Sequence, residues 1–367
     1  MLFSPRLWLS SRSYPLIPVS EKLPGVSAPF DYILFLSLLV LLILIAVVKR
    51  PFVFVVLFLI LSLFLVLTDQ SRLQPWFYQY AFMLAAFAFY SGSRSEENQH
   101  ALLNTCRLII VSMYVWSGIQ KLNVGFTDRI FTALINPYLN FVFGRVNLVP
   151  RPLILLIPLL EVGIGICLLV RKSRNIGVLM AVSMHLLILL LLIPLKVNSV
   201  VWQWNLAMGS FVFILFWKSE ESSAREILLP RKLGYQALVL LLFGIMPLFN
   251  FLNLWDSYMS AALYSGNLPV AVIHVSEPAR NRMPPNIQQH VQPSRTDDGF
   301  LINPTQWSLA ELNVPDYRER RIFMGLTRKL CGYAETAGEL KLTIYEKPNR
   351  WNGTRNTRQY TCADLQR

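Results

Sequence analysis

Three ionisable side chains stand inside apolar stretches of the sequence, where a charge is costly and is therefore the first place to look for chemistry. Glu161 and His185 each lie near the middle of an apolar stretch, and Lys121 lies near the end of another. A glutamate and a histidine on neighbouring helices could handle a proton, supply half of a metal site, or simply hydrogen-bond two helices together. We expect no complete metal site, because no third histidine or thiolate lies at ligand spacing.

The surroundings of Lys121 allow two interpretations. It follows the small residues Ser117 and Gly118, which would let another helix approach closely. A lysine that is partly desolvated there could lose its proton and act as a base, or it could extend to the lipid headgroups. We predict that the glutamate and the histidine point into one interior cavity, with Lys121 and Arg107 at its mouth.

Two further positions combine charge with an apolar context. Asp69 and Arg72 lie where an apolar stretch ends, shortly before Trp76. They could form a polar clamp at the mouth of a cavity, or a loop ion pair beside a tryptophan at the membrane surface. Arg107 could extend to that surface as well, or pair with Glu161 or Asp69.

The composition indicates a protein that crosses the membrane several times. Of its 367 residues, 54% are hydrophobic and 15% are charged, against about 25% charged in a soluble globular chain. These values exclude a disordered protein, a coiled coil and an ordinary soluble enzyme. The net charge of +13 is explained by basic loops and a mildly basic tail, so it gives no support for nucleic-acid binding.

The predicted fold class is an all-α polytopic membrane bundle of about eight transmembrane helices with a small α+β soluble C-terminal domain. A helix needs roughly 20 apolar residues to cross a bilayer. Suitable stretches are Phe30–Val48, Phe52–Thr68, Trp76–Gly92, Leu102–Leu122, Pro152–Val170, Ile176–Leu195, Val200–Trp217 and Leu233–Leu254. The apolar segment 126–149 contains Pro137, Gly144 and Arg145, which favours a re-entrant or interfacial hairpin over a ninth span.

Lysine and arginine are unevenly distributed among the predicted loops. One set of alternate loops carries Lys49, Arg50, Arg94, Arg171, Lys172, Arg174, Lys218, Arg225, Arg231 and Lys232. The other set carries Arg72 and Lys196, and the segment after Leu122 reduces the bias by adding Arg129, Arg145 and Arg151. Because basic loops tend to stay in the cytoplasm, both termini are predicted to be exoplasmic, which means periplasmic if the membrane is a bacterial inner membrane. Residues 1–29 lack the apolar run of a signal peptide and are predicted to form an interfacial tail.

The composition becomes polar after Tyr264. We therefore divide the chain into an N-terminal tail (1–29), a transmembrane domain (30–264) and an exoplasmic C-terminal domain (265–367). The predicted elements of the last domain are strands at Val270–Val275, Glu339–Tyr345 and Arg358–Cys362 and an amphipathic helix at Pro315–Tyr333.

Two of the four cysteines, Cys331 and Cys362, lie in the C-terminal domain. If the domain is exoplasmic, a disulfide between them would clamp the last predicted helix to the last predicted strand. The alternative is a pair of reduced, buried thiols.

The run Tyr114–Asn123 contains Trp116 and the spacing Gly-x-x-Lys-Leu that ends at Leu122. It resembles a signature of the membrane domain shared by vitamin K-dependent gamma-carboxylases and their bacterial relatives, the HTTM group. The segments Asp69–Trp76 and Leu254–Asn267 look like that group too. In the carboxylases the lysine of this element is the base that deprotonates vitamin K hydroquinone, so the resemblance implies this role for Lys121 and a quinone or quinol as cofactor.

A second resemblance rests on consecutive spans. The Glu161 span followed by the His185 span is similar to the smaller DoxX/MauE four-helix proteins, which are redox-associated. Together the resemblances imply a cavity at the level of the lipids. The residues that we predict to contact its ligand are Asp69, Arg72, Arg107, Trp116, Glu161 and His185.

Three functions remain open on the sequence alone. The first is a membrane protein whose bundle, surrounded by membrane lipids, binds a hydrophobic ligand, a quinone or a lipid, or an envelope protein partner. The second is a quinol-dependent carboxylase or epoxidase-like enzyme that uses Lys121 as base. The third is a DoxX/MauE-like redox accessory protein, which would need reactive thiols near the membrane surface, whereas Cys106 and Cys167 both fall inside predicted spans.

Overall fold

The structure is a computed structural model that describes residues 1–91, 95–144, 149–196, 198–229, 234–294 and 299–366. Within these ranges the chain is mostly helical and has a small antiparallel sheet near its C-terminus. Arg94, Arg145, Arg231 and Lys232, which entered the predictions above, and the first residue of the last predicted span, Leu233, lie outside the described residues.

Each predicted span contains a helix before the C-terminal domain, and the further helices Pro5–Trp8, Thr132–Phe143 and Ala224–Leu228 lie outside the predicted spans. In chain order the helices are α1 (Pro5–Trp8), α2 (Phe30–Val47), α3 (Phe52–Thr68), α4 (Pro75–Tyr90), α5 (Glu96–Lys121), α6 (Thr132–Phe143), α7 (Arg151–Leu169), α8 (Arg174–Leu195), α9 (Val200–Phe216), α10 (Ala224–Leu228) and α11 (Tyr235–Val239). The last of these continues as a π-helical and then a 3-10 stretch to Leu252.

Five helical stretches in the described part of the chain are long and apolar enough to cross a membrane. They are 30–47, 96–121, 151–169, 174–195 and 235–252. The other apolar helices, α3 and α9, have 17 residues each, fewer than the roughly 20 that a span needs. The fold is thus a membrane-crossing helical bundle, but the predicted count of eight spans is not confirmed.

The helix α5 is the centre of the bundle. Its most apolar window is 67% buried inside the protein, against 17–33% for the other four candidate spans. The Ser95 side chain caps its start by accepting from the backbone N–H of Asn98. Glu96 and Glu97 lie in its first turn, where acidic side chains interact favourably with the helix dipole. Lys121 belongs to α5, and Glu161 and His185 each contact a polar side chain of this helix.

The segment that was predicted as a hairpin is helical from 126 to 143. A π-helical turn, 126–131, leads into α6, and Gly144 ends it with a positive φ of 66°. An exposed ion pair of 2.6 Å joins Asp128 at its start to Arg151 at the start of α7. The Tyr138 hydroxyl of α6 donates to the carbonyl of Leu191 in α8, so the segment contacts the bundle, and no reversal lies inside 126–143.

The C-terminal domain is a five-stranded antiparallel sheet with helices packed against it. Its strand order is β2-β3-β1-β4-β5. The elements are β1 (Val270–Val275), α12 (Glu277–Arg282), α13 (Pro285–Gln288), β2 (Val291–Pro293), β3 (Phe300–Ile302), α14 (Pro304–Leu312), α15 (Arg320–Leu330), β4 (Leu340–Tyr345), β5 (Thr357–Thr361) and α16 (Cys362–Gln366).

The core of this domain forms between α15 and the sheet. Ile322, Phe323, Leu326 and Leu330 recur at helical spacing on one face of α15, and all four are buried. A disulfide joins Cys331, directly after α15, to Cys362, directly after β5. The predicted clamp between the last long helix and the last strand is therefore present in the structure.

The N-terminal residues, which we predicted as an interfacial tail, are packed between the bundle and the C-terminal domain. Leu7 and Trp8 are fully buried, and the Trp8 ring lies edge-on to Phe77 of α4 at 5.2 Å between centroids. Glu311 of α14 accepts hydrogen bonds from the backbone N–H groups of Ser13 and Tyr14. We call residues 4–19 the N-terminal strap.

Candidate functional site

Lys121 and Glu161 form an ion pair inside the bundle. The Lys121 Nζ lies 2.6 Å from Oε2 and 2.7 Å from Oε1 of Glu161. The hydroxyl of Ser117, one turn before Lys121, donates to Glu161 Oε2 at 2.8 Å and is 2.7 Å from the lysine Nζ. The two charged side chains are 13% and 7% exposed, so the pair is largely buried but still partly accessible from outside the bundle.

His185 has different partners from those we predicted. Its Nε2 is 2.6 Å from the Tyr114 hydroxyl, and its Nδ1 is 2.8 Å from Asn205 Oδ1. The Asn205 amide nitrogen donates to the carbonyl of Val201 at 2.8 Å, which leaves Oδ1 facing the histidine as an acceptor. With Asn205 oriented in this way, Nδ1 donates to Oδ1, and the tyrosine hydroxyl is the partner of Nε2.

The predicted direct contact between Glu161 and His185 is not formed. Glu161 is paired with α5 through Lys121, whereas His185 bonds α5 through Tyr114. Because Tyr114 and Lys121 are seven residues apart, they lie on the same face of the helix, two turns from each other. The site is thus two polar contacts on one face of α5, one toward α7 and one toward α8.

Arg107 does not lie at the mouth of this site. It precedes Lys121 by fourteen residues of one helix, which is a separation of roughly 21 Å. Its guanidinium donates to the carbonyl of Leu215 and to the hydroxyls of Ser219 and Ser222. Arg107 therefore caps the far end of the bundle, and an extended side chain at the lipid surface is excluded by its burial.

Asp69 and Arg72 lie under the N-terminal strap. Arg72 is 1% exposed and donates to the carbonyls of Leu7 and Trp8 at 3.0 Å each. Asp69 pairs with Arg12 of the strap at 2.5 Å. Burial lowers the pKa of Arg72 to about 10, although the neighbouring Asp69 acts in the opposite direction. These residues hold the strap in place and are separate from the Lys121–Glu161 pair.

Trp116 faces another side of α5. Its indole N–H donates to the carbonyl of Gly244 at 3.1 Å, and its ring lies 6.4 Å from that of Phe251. Trp116 therefore contacts the last helical stretch of the bundle, whereas Lys121 contacts α7.

The sequence reasoning missed Tyr114 and Asn205 as partners of His185. Tyr114 was quoted only as part of a motif, and Asn205 lies in an apolar helix as a lone amide. An uncharged polar residue in such a helix is a weaker signal than a charge. It needs a partner all the same, because a buried polar group without a hydrogen bond is unfavourable.

Neither of the two cavities that the structure describes contains Glu161 or His185. The first, of about 540 Å³, lies between the end of the bundle and the loop after β4. The second, of about 430 Å³, lies beside the N-terminal strap. Among the described residues, no group of three or more His, Cys, Asp or Glu side chains is placed to hold a metal ion.

One comparison with known proteins gives a match. Residues 99–200 match the family described as methylamine utilisation protein MauE. The matched segment is less than a third of the chain, runs from α5 to the start of α9, and includes Lys121, Glu161 and His185. No curated protein matches the chain, and no solved structure does either. The comparisons support the MauE-like part of the predicted resemblance and not its carboxylase part.

Proposed function

We propose that the protein is a MauE-like integral membrane accessory protein whose bundle binds the polar head of a hydrophobic ligand, with a quinone as the expected class. In this role it would support redox maturation of a partner protein in the cell envelope. The segment similar to MauE carries Lys121, Glu161 and His185, which supports placing the function there.

The ion pair between Lys121 and Glu161 is the observation that carries this proposal. A bundle could be held together by apolar packing alone, and burying two charged groups is costly unless they serve a purpose. The pair is partly exposed, so an ammonium N–H and a carboxylate oxygen can reach a carbonyl or hydroxyl of a ligand that arrives from the lipid. Tyr114 and His185 extend the polar surface along α5.

The geometry argues against the alternative in which Lys121 is the base of a carboxylase. A base must present its amine nitrogen to the substrate, whereas the Lys121 Nζ is already occupied by both carboxylate oxygens of Glu161 within 2.7 Å and by the Ser117 hydroxyl. The same contact excludes a lysine that extends freely to the headgroups. A binding role for the charged pair fits better than proton abstraction.

The proposal places the C-terminal domain on the exoplasmic side, with both termini there. The disulfide between Cys331 and Cys362 supports this placement, because such bonds persist in oxidising compartments. The basic loops listed in the sequence analysis agree with it. In a bacterium this compartment is the periplasm.

The experiment is to identify the lipophilic molecules that accompany the protein through purification in a mild detergent, by mass spectrometry. Wild type is expected to carry a quinone. The double variant Lys121→Met with Glu161→Leu removes both charges without leaving one unpaired and should lose it. Asp128→Asn, which breaks only the exposed pair with Arg151, is the matched control and should retain it. Equal amounts of quinone in all three proteins would refute the proposed function.

A further inference from the structure

The cavity of about 540 Å³ between the bundle and the C-terminal domain is unconnected with the function proposed above. Its walls come from residues 250–253 at the end of the bundle, from Asn267, and from the loop 347–356 between β4 and β5. Five asparagines, a threonine, a lysine and an arginine line it, and the described lining includes no acidic residue. Its volume lies within the range of small-molecule sites.

Lys347 supplies one positive charge to this cavity. Its Nζ donates to the carbonyl of Asn250 at 3.1 Å, which leaves two of its three N–H donors for a ligand. Burial lowers the pKa of Lys347, and the nearby carboxylates of Glu319, Asp256 and Glu346 partly oppose this. Glu319 itself accepts from the backbone N–H of Ser257 at 2.7 Å.

Arg350 supplies the second charge in a fixed orientation. Its Nη2 donates to the carbonyls of Ile119 and Leu122 at 2.5 and 2.9 Å, which are the last acceptors of α5. Its guanidinium carbon lies 4.5 Å from the centre of the Phe251 ring. Nη1 donates to no described residue, so the guanidinium has free donors in the cavity wall.

The cavity lies at the boundary of the membrane. Arg350 donates hydrogen bonds to the end of α5, which is a candidate span. The cavity therefore lies at the depth at which this span leaves the lipid. Trp351, the next residue, is 81% exposed, and tryptophan is enriched at this level of membrane proteins. Leu252 and Leu254, beside the wall residues in the chain, are 64% and 69% exposed. A cationic, amide-rich interior is thus bordered by exposed apolar side chains.

We propose that this cavity binds the headgroup of an anionic phospholipid from the leaflet on the side of the C-terminal domain. Lys347 and Arg350 contact the phosphate, and the asparagine side chains contact the polar groups beyond it. The apolar rim of Trp351, Leu252 and Leu254 faces the acyl chains. A zwitterionic lipid fits less well, because its own cation would approach the two positive side chains.

The test uses the full-length protein reconstituted in vesicles of phosphatidylcholine and phosphatidylglycerol in equal amounts. The lipids that remain after gentle extraction are measured by native mass spectrometry. Wild type is expected to retain phosphatidylglycerol in preference. Lys347→Gln should lower that preference about fivefold, the effect of one cation near a lipid surface. Lys329→Gln, which removes an equal charge from an exposed site in the same domain, should leave it unchanged.

A second variant and a soluble probe keep the outcome decisive if Lys347→Gln folds poorly. Asn356→Asp puts a negative charge in the wall without removing a lysine and should also lower the preference. For the protein in phosphatidylcholine vesicles, phosphatidylglycerol should raise the melting temperature and glycerol phosphate should not. If both raise it equally, the cavity binds a soluble anion and the lipid assignment fails. Equal retention of both lipids by wild type, or no effect of Asn356→Asp in a folded protein, overturns the proposal.

Discussion

Gly118 of α5 lies directly against Pro158 of α7. A Cβ added to Gly118 would be 2.5 Å from the carbonyl oxygen of Pro158 and 2.7 Å from a methyl carbon of Val162. No real side chain fits such distances, so the two helix backbones touch because position 118 has no side chain. This contact brings Glu161, which lies between these two residues of α7, within reach of Lys121.

Replacing Gly118 by alanine should therefore force α5 and α7 apart. Overpacking of this kind costs about 1–3 kcal/mol, and the Lys121–Glu161 pair should lengthen as the helices separate. The measurement is thermal unfolding in detergent. Gly163→Ala is the matched control, because nothing lies within 4 Å of a Cβ there and alanine is the better helix former. Equal melting temperatures of the two variants would contradict the close packing.

The Lys121–Glu161 pair should behave as a coupled unit. Glu161→Leu or Lys121→Met alone leaves one buried charge without its counter-ion, which typically costs about 3–5 kcal/mol. The double variant Lys121→Met with Glu161→Leu removes both and should regain most of that loss. A double-mutant cycle on the free energy of unfolding measures this coupling. Additive effects of the single substitutions would show that the pair contributes nothing as a pair.

The sequence was sufficient for the elements with a strong periodic or apolar signal. Helices α3 and α8 end where the apolar stretches end, and β1 has the predicted bounds. Ile322, Phe323, Leu326 and Leu330 of α15 are all buried, because spacing alone identifies the face that must meet a sheet. Ser117 and Gly118 likewise indicated the close approach of a second helix before its identity was known.

Contacts between residues that are distant in the sequence could not be predicted from the sequence. Glu161 and His185 lie at similar depth in adjacent spans, which suggested a mutual contact, but depth does not fix the rotation of a helix about its axis. Both side chains turn toward α5 instead. The short elements α14, β2 and β3 were missed as well, because segments of three to nine residues carry too few positions to establish a period.

The N-terminal strap should be held by Glu311 in a pH-dependent manner. Burial alone would raise the pKa of Glu311, but hydrogen bonds from Ser13, Trp307 and Tyr14 outweigh it and the pKa is lowered. A carboxyl with a lowered pKa contributes its stabilisation above the value of the unfolded chain, about 4.3. That contribution is lost as the pH falls through the folded value.

Hydrogen exchange of residues 13–19 measures the attachment of the strap. Glu311→Gln should speed exchange several-fold at neutral pH and remove the additional loss of protection in acid. Glu21→Gln, which affects only an exposed pair with Lys329, should leave exchange near wild type. Identical pH profiles for wild type and Glu311→Gln would exclude the carboxylate as the attachment point.

The C-terminal domain is predicted to occupy the exoplasmic side of the membrane. Glu335 of this domain and Glu220 in the loop after α9 are both exposed, and the predicted topology puts them on opposite sides. In a background of Cys106→Ser with Cys167→Ser, a membrane-impermeant maleimide on intact cells should label Glu335→Cys and not Glu220→Cys. The reverse pattern would place the domain in the cytoplasm.

The last prediction concerns the disulfide of the C-terminal domain. In denatured samples of the protein with Cys106→Ser and Cys167→Ser, Cys331 and Cys362 should react with the maleimide only after reduction. Removing their bond by Cys331→Ser with Cys362→Ser should cost about 2–5 kcal/mol, because the unfolded domain then loses a constraint between residues 31 positions apart.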